Sequence, residues 1–247
     1  MLRKLRRASL GRPRVTADKQ WFSRALSEVL LPDEVQGHLT SHYAAALELM
    51  PSPSAGRSRL LELGAGHCEV AQMLRVRGWH VHAADIEDSC VAEATAFGFP
   101  ATRLDLNEPL PFSDGSFGFV VMLEVIEHVV RAEAALGEVA RVLLPGGQLL
   151  LTTPNHAFYK SRIRMLKGRP LGMEGDHVRF FVKAQLESLL AAKGFQIAAR
   201  NSSGHLPLTD GRWVRKLLMR KRVLCRVPEW LESSCAINFV WLLDRAG

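Results

Sequence analysis

The chain has 247 residues, 47% of them hydrophobic and 23% charged, a globular composition that excludes collagen-like, low-complexity and wholly disordered chains. Its net charge of +7 conceals an asymmetry: residues 60–155 carry 5 basic and 13 acidic side chains, whereas residues 156–226 carry 16 and 4. A basic segment of that size suits an anionic membrane, nucleic acid, an anionic substrate or a solvated face.

The start, MLRKLRRASLGRPR, is basic and lacks the apolar core of a secretory signal. Arginine-rich and acid-free, it also fits a mitochondrial presequence if the source is eukaryotic. Trp21, Phe22, Ala25, Leu26, Val29 and Leu30 recur at helical spacing up to Pro32, a second helix is expected from Glu34 to Met50, and PSPSAG (51–56) reads as a linker. From Arg59 short apolar runs alternate with helical stretches. Strands are expected at 59–63, 80–85, 101–105, 117–123 and 148–153, helices at 68–77, 88–97 and 131–143, and a PGG turn at 145–147. Such alternation predicts right-handed βαβ crossovers and a parallel sheet covered by helices on both faces. A basic insertion (157–180) follows, then a helix at 183–193, a strand at 195–200, a basic amphipathic helix at 211–226 and a final strand at 237–244. The division is a basic tail with helices (1–56) ahead of one α/β domain (57–247). No apolar run approaches the roughly 18 residues of a transmembrane helix, and four cysteines without a CxxC read as reduced thiols of a cytoplasmic protein.

ELGAGHCEV (62–70) joins the first strand to a helix, and Gly64 and Gly66 permit a tight turn with close approach of a ligand to the backbone. A dinucleotide fingerprint starting at Gly64 would need glycine at 69, where this chain has Glu69, and no GK[ST] follows. A carboxylate near the helix N-terminus would also repel a pyrophosphate. The turn therefore suits a nucleoside without a phosphate chain. Asp85 ends the second strand, where an acid can accept both ribose hydroxyls, and Asp105 ends the third, where it could meet an adenine amino group.

With LLELGAGHCEVAQML, AADIED, LDLNEPLPFSDGSFGFVVMLEVIEHVV and RVLLPGGQLLLTTPN in that order over 59–155, and DHVRFFVKAQLESLLAAKGF (176–195) beyond, the chain resembles the class I S-adenosylmethionine-dependent methyltransferases. The resemblance implies a Rossmann-like, doubly wound, seven-stranded sheet, mostly parallel with its last strand antiparallel. It also implies a cofactor held by Glu62, Gly64, Ala65, Gly66, Asp85, Ile86, Asp105, Leu106 and Leu123. Two positions depart from the family pattern: Cys68 stands where a third glycine is common, and Gly118 replaces a frequent aspartate.

Glu124, Glu127 and His128 follow the fourth strand, and a helical segment there would put all three on one face. His177, in GDHVRFF, lies in the region that closes the substrate side in similar proteins. Methyl transfer is a displacement at a sulfonium methyl, so the protein aligns an acceptor and helps remove its proton. A histidine suits that task, which makes His128 and His177 the candidate catalytic residues. A divalent metal (magnesium, manganese or zinc) held by Glu124, Glu127, His128 and His177 would instead lower the pKa of an acceptor hydroxyl. The segment is similar to that of metal-dependent O-methyltransferases of ubiquinone synthesis and of small-RNA 2′-O-methyltransferases. It is also similar to a bacterial group found with glycan-synthesis enzymes, which shares HxRFF and for which metal dependence does not follow.

Cations interleave with apolar residues at 157–172 and 212–226, a pattern suited to an interfacial helix on anionic lipid or to phosphate backbones. No RNA-binding module is recognisable, which favours a small-molecule, lipid-like or glycan acceptor and peripheral membrane contact over nucleic acid. The expectation is therefore an S-adenosylmethionine-dependent methyltransferase acting on a hydroxyl. The alternatives are an RNA 2′-O-methyltransferase and a partner subunit that binds cofactor without chemistry of its own.

Overall fold

The computed structural model describes residues 41–169, 177–204 and 225–246. The expected tail and helix up to Leu30, the first residues of the 34–50 helix, part of the basic insertion and the 211–226 helix as far as residue 224 lie outside the described residues. The elements in chain order are α1 (Ser41–Leu49), β1 (Arg59–Leu63), α2 (Glu69–Val76), β2 (His80–Asp85), α3 (Asp88–Ala96), β3 (Ala101–Arg103), β4 (Phe117–Leu123), α4 (Ala132–Val142), β5 (Leu143–Pro154), α5 (Tyr159–Leu166), α6 (Lys183–Ala192), β6 (Phe195–Arg200), α7 (Glu232–Cys235) and β7 (Asn238–Arg245).

The seven strands form one sheet in the order β3-β2-β1-β4-β5-β7-β6. Neighbours from β3 through β5 pair in parallel, while β7 runs antiparallel to both β5 and β6. This is the Rossmann-like arrangement expected, with the last strand reversed. Alternate strand residues feed two cores: Leu60, Phe119, Leu150 and Leu242 pack under α1 and α2, and Leu61, Val120, Leu149 and Leu243 pack under α4 and α6. All seven residues of β4 are buried, as a central parallel strand covered on both faces must be. Among the described residues no helix is long and apolar enough to cross a membrane.

Three local expectations are corrected. PGG is not a turn ahead of β5 but a bulge within it, because Phe117 pairs with Leu143 while Phe119 pairs with Gln148. Arg57 holds the bulge, donating to the carbonyls of Gly146 (2.6 Å) and Pro145 (3.0 Å). Its backbone lies so close over Gly118 that a Cβ there would collide with the Arg57 carbonyl oxygen. The glycine standing in place of the family aspartate is thus a packing requirement. The third strand is shorter than expected because Asp105 leaves the sheet, its Oδ1 accepting from the Asn107 amide nitrogen at 2.8 Å. Finally, Cys225–Arg226 are extended rather than helical. They pair with Ser203–Gly204, ahead of a Val-Pro step that disfavours helix.

Candidate active site

The turn after β1 uses left-handed backbone at Gly64 (φ 73°) and Gly66 (φ 50°), conformations open to glycine at no steric cost. Cys68 adopts φ 63° in the same turn, so the residue replacing a third glycine keeps a glycine-like conformation at a cost of about 1 kcal/mol. Asp85 braces the turn. Its Oδ2 accepts from Gly66 N (2.9 Å) and its Oδ1 from Glu87 N (3.0 Å), and an ionised carboxylate retains about two further acceptor sites.

Two cavities meet at Gly64. The first, of about 270 Å³, is lined by Tyr43, Glu62, Ala65, Gly66 and Leu123. The second, of about 130 Å³, is lined by Asp85, Ile86, Asp105, Leu106 and His128. Every residue that the resemblance assigns to the cofactor therefore borders one cavity or the other. Glu62 is buried, and its Oε2 has no hydrogen-bond partner among the described residues. Burial, with Glu69 and Asp85 nearby, raises its carboxyl well above the usual range. Burial and the surrounding carboxylates push the Tyr43 phenol up to about 12. A buried carboxyl with an orphaned oxygen is costly unless a donor or cation arrives. The methionyl ammonium of S-adenosylmethionine is such a cation, so these residues fit that cofactor.

Beyond β4 the backbone turns sharply. Glu124 takes φ 55°, its N donating to Thr152 O (3.2 Å) and Oγ1 (3.0 Å), before a single 3-10 turn, Ile126–His128. Because the segment is not an α-helix, the expected common face does not form. Glu124 points its Oε2 to Asn238 Nδ2 (2.6 Å), leaving Oε1 without a hydrogen-bond partner among the described residues. Glu127 is fully buried, and its Oε2 accepts from Thr153 Oγ1 at 3.0 Å. Burial, and then the neighbouring Glu124, push its carboxyl to about 8.

His177 is delivered to this turn by its own segment. Val178 N and Arg179 N both donate to the Glu127 carbonyl at 3.0 Å, and Arg179 grips Glu133 with two bonds of 2.7 and 2.8 Å. The His128 and His177 rings consequently meet edge to face at 4.7 Å. Glu127, His128 and His177 present ligand atoms within 4.8 Å of one another. Glu124 does not join them, so the structure brings together three of the four residues expected around a metal.

Three site residues were missed from sequence. Tyr43 sits on a helix that reads as ordinary apolar periodicity. Asn238 reaches Glu124 across 114 positions of chain. His156, whose ring lies 6.1 Å from that of His177 and 4.7 Å from that of Phe180, had a usable signal: it directly follows Pro154-Asn155 at a strand's carboxyl end. Burial, reinforced by His177, lowers its pKa.

A family model for a methyltransferase domain matches residues 35–199. A Mycolicibacterium smegmatis protein named "Probable S-adenosylmethionine-dependent methyltransferase" is 33% identical over 147 residues, covering 58% of this chain and 53% of that protein. The chain thus spans about half the length of that curated relative. A ubiquinone biosynthesis O-methyltransferase of Rhizobium rhizogenes is 28% identical over 200 residues, covering 76% of this chain and 73% of that protein. Among solved structures, an S-adenosylmethionine-dependent methyltransferase of Thermotoga maritima superposes with TM-score 0.57 at 19% identity, covering 92% of this chain and 99% of that one, a likeness of fold. The strand order with its reversed β7, the glycine turn with one acid at the end of β2 and another just beyond β3, and the family match converge: the chain belongs to the class I S-adenosylmethionine-dependent methyltransferases.

Proposed function

We propose that the protein transfers the sulfonium methyl of S-adenosylmethionine to a hydroxyl of a small-molecule, lipid-like or glycan acceptor. The observation that carries this reading is the imidazole pair, because His128 borders the cavity of Asp85 and Asp105 while its ring meets His177. The acceptor oxygen attacks the methyl carbon, the carbon–sulfur bond breaks, S-adenosylhomocysteine leaves, and an imidazole takes the hydroxyl proton. Glu62 would receive the methionyl ammonium and Asp85 the ribose. Asp105, Ile86 and Leu106 would surround the adenine, Gly64, Ala65 and Gly66 would follow the cofactor with their backbone, and Leu123 would close the first cavity.

The cluster of Glu127, His128 and His177 favours a second reading of the same site, a divalent ion in which one carboxylate and two imidazoles hold magnesium or zinc. Such an ion would supply charge that lowers the pKa of an acceptor hydroxyl. Metal binding by Glu127→Ala, measured by calorimetry alongside turnover in chelator, separates the two readings. Full activity in chelator with no ion bound leaves the imidazole alone as the base.

The decisive experiment is transfer of labelled methyl into fractionated extract, with lipid, glycan, small-molecule and RNA pools counted separately. Label in a non-RNA pool that falls on the order of a hundredfold in His128→Ala, with cofactor affinity retained, is expected. Label in RNA overturns the acceptor class. Cofactor binding without transfer to any pool points to a subunit that binds only.

A further inference from the structure

Residues 157–169 carry Lys160, Arg162, Arg164, Lys167 and Arg169 and no acidic side chain. Within them α5 has no buried residue, unlike α2, α4 and α6, which turn apolar faces into the cores. On α5 the apolar side chains remain outside: Leu166 is 87%, Met165 58% and Ile163 45% exposed. Two stripes run side by side at spacings of four and three residues. Tyr159, Ile163 and Leu166 form the apolar one, and Lys160, Arg164 and Lys167 the cationic one.

A second segment also leaves apolar side chains exposed. Val178, Phe180 and Val182 are exposed at alternate positions while Phe181 between them is buried. Phe180 touches the His156 ring, and His156 N donates to the Phe181 carbonyl at 3.1 Å. The patch therefore borders the side of the site that holds His177.

We propose that α5 docks on the surface of an anionic lipid bilayer. Ile163 and Leu166 enter the headgroup boundary, and the adjacent cations meet lipid phosphates. Charge complementarity selects the occupant, and the apolar stripe decides between anionic partners. A nucleic acid backbone would use the cations and leave Leu166 in water, whereas a bilayer uses both.

The test is co-sedimentation of the full chain with phosphatidylcholine vesicles, with and without phosphatidylglycerol. Binding is expected only with phosphatidylglycerol and weakens as salt is raised. The triple variant Lys160→Gln, Arg164→Gln, Lys167→Gln should lower partition on the order of a hundredfold. Ile163→Ser with Leu166→Ser, which leaves the charge intact, should also release the protein. In both variants S-adenosylhomocysteine affinity should be unchanged, which reports an intact fold. Equal binding to phosphatidylcholine alone, or vesicle binding indifferent to both variants, overturns the proposal. So does binding of an RNA oligonucleotide, lost in the triple variant, with no vesicle binding by the parent chain.

Discussion

Three buried glutamates and the half-buried Glu124 lie on two sides of β5 and are treated in opposite ways. On the far side Glu232 is fully engaged: Oε1 accepts from Trp241 Nε1 (2.7 Å) and Ser202 Oγ, and Oε2 from Arg200 Nη1 (2.9 Å) and Lys183 Nζ (3.1 Å). On the near side Glu62, Glu124 and Glu127 each keep one buried oxygen without a hydrogen-bond partner among the described residues. Among the described residues the two non-glycine positions with left-handed backbone, Cys68 and Glu124, fall on that side as well. A carboxylate with four donors fastens the fold, whereas orphaned oxygens and strained backbone cost stability and are retained where a ligand will use them.

Breaking the fastener should have the largest effect. Glu232→Ala strips Arg200 and Lys183 of their buried partner and should cost about 4 kcal/mol in urea unfolding; a loss below about 1 kcal/mol would erase the contrast. On the ligand side, Asp85→Ala should weaken S-adenosylhomocysteine by about a hundredfold in calorimetry, and an unchanged affinity removes the ribose assignment. Glu62→Gln sharpens the comparison because its two effects oppose each other. Cofactor-free stability should rise by about 1 kcal/mol while cofactor affinity falls about tenfold.

A further effect is in pH. The raised Glu62 carboxyl keeps a proton in the folded state that the unfolded chain releases near 4.3. Stability is therefore greatest below that unfolded value and declines as pH rises through the folded one. Glu127, at about 8, contributes a decline of the same sign. Cofactor binding favours the charged form of Glu62, so affinity should increase with pH over the same range. Melting temperatures of the parent and Glu62→Gln, taken from acid to mildly alkaline pH, check this; identical slopes would show that the Glu62 proton plays no part.

The features legible in sequence are those whose cause is local. Strand alternation, the glycine turn and the acids Asp85 and Asp105 follow from short-range periodicity and from ligands binding at the carboxyl ends of parallel strands. The partners of Glu232 and Glu124 come from distant segments, and no spacing rule links residue 238 to residue 124. The common face expected for Glu124, Glu127 and His128 failed because one left-handed residue redirected the chain. Periodicity cannot register a single dihedral. Gly118 was noticed as a departure from pattern, yet its reason, the Arg57 backbone lying over it, belongs to packing alone.

The reversed β7 also sets an order of assembly. Strands β1 to β5 and both cavities are encoded before residue 155, so this half of the sheet can pair while the rest of the chain is still being translated. Strand β6 has to wait, since its only neighbour in the sheet is β7, which emerges from the ribosome some forty residues later. That late strand also brings Asn238 to Glu124. The turn that carries Glu124 is thus completed by a strand encoded well after both cavities, and its hydrogen bond to Asn238 forms only once β7 has joined the sheet.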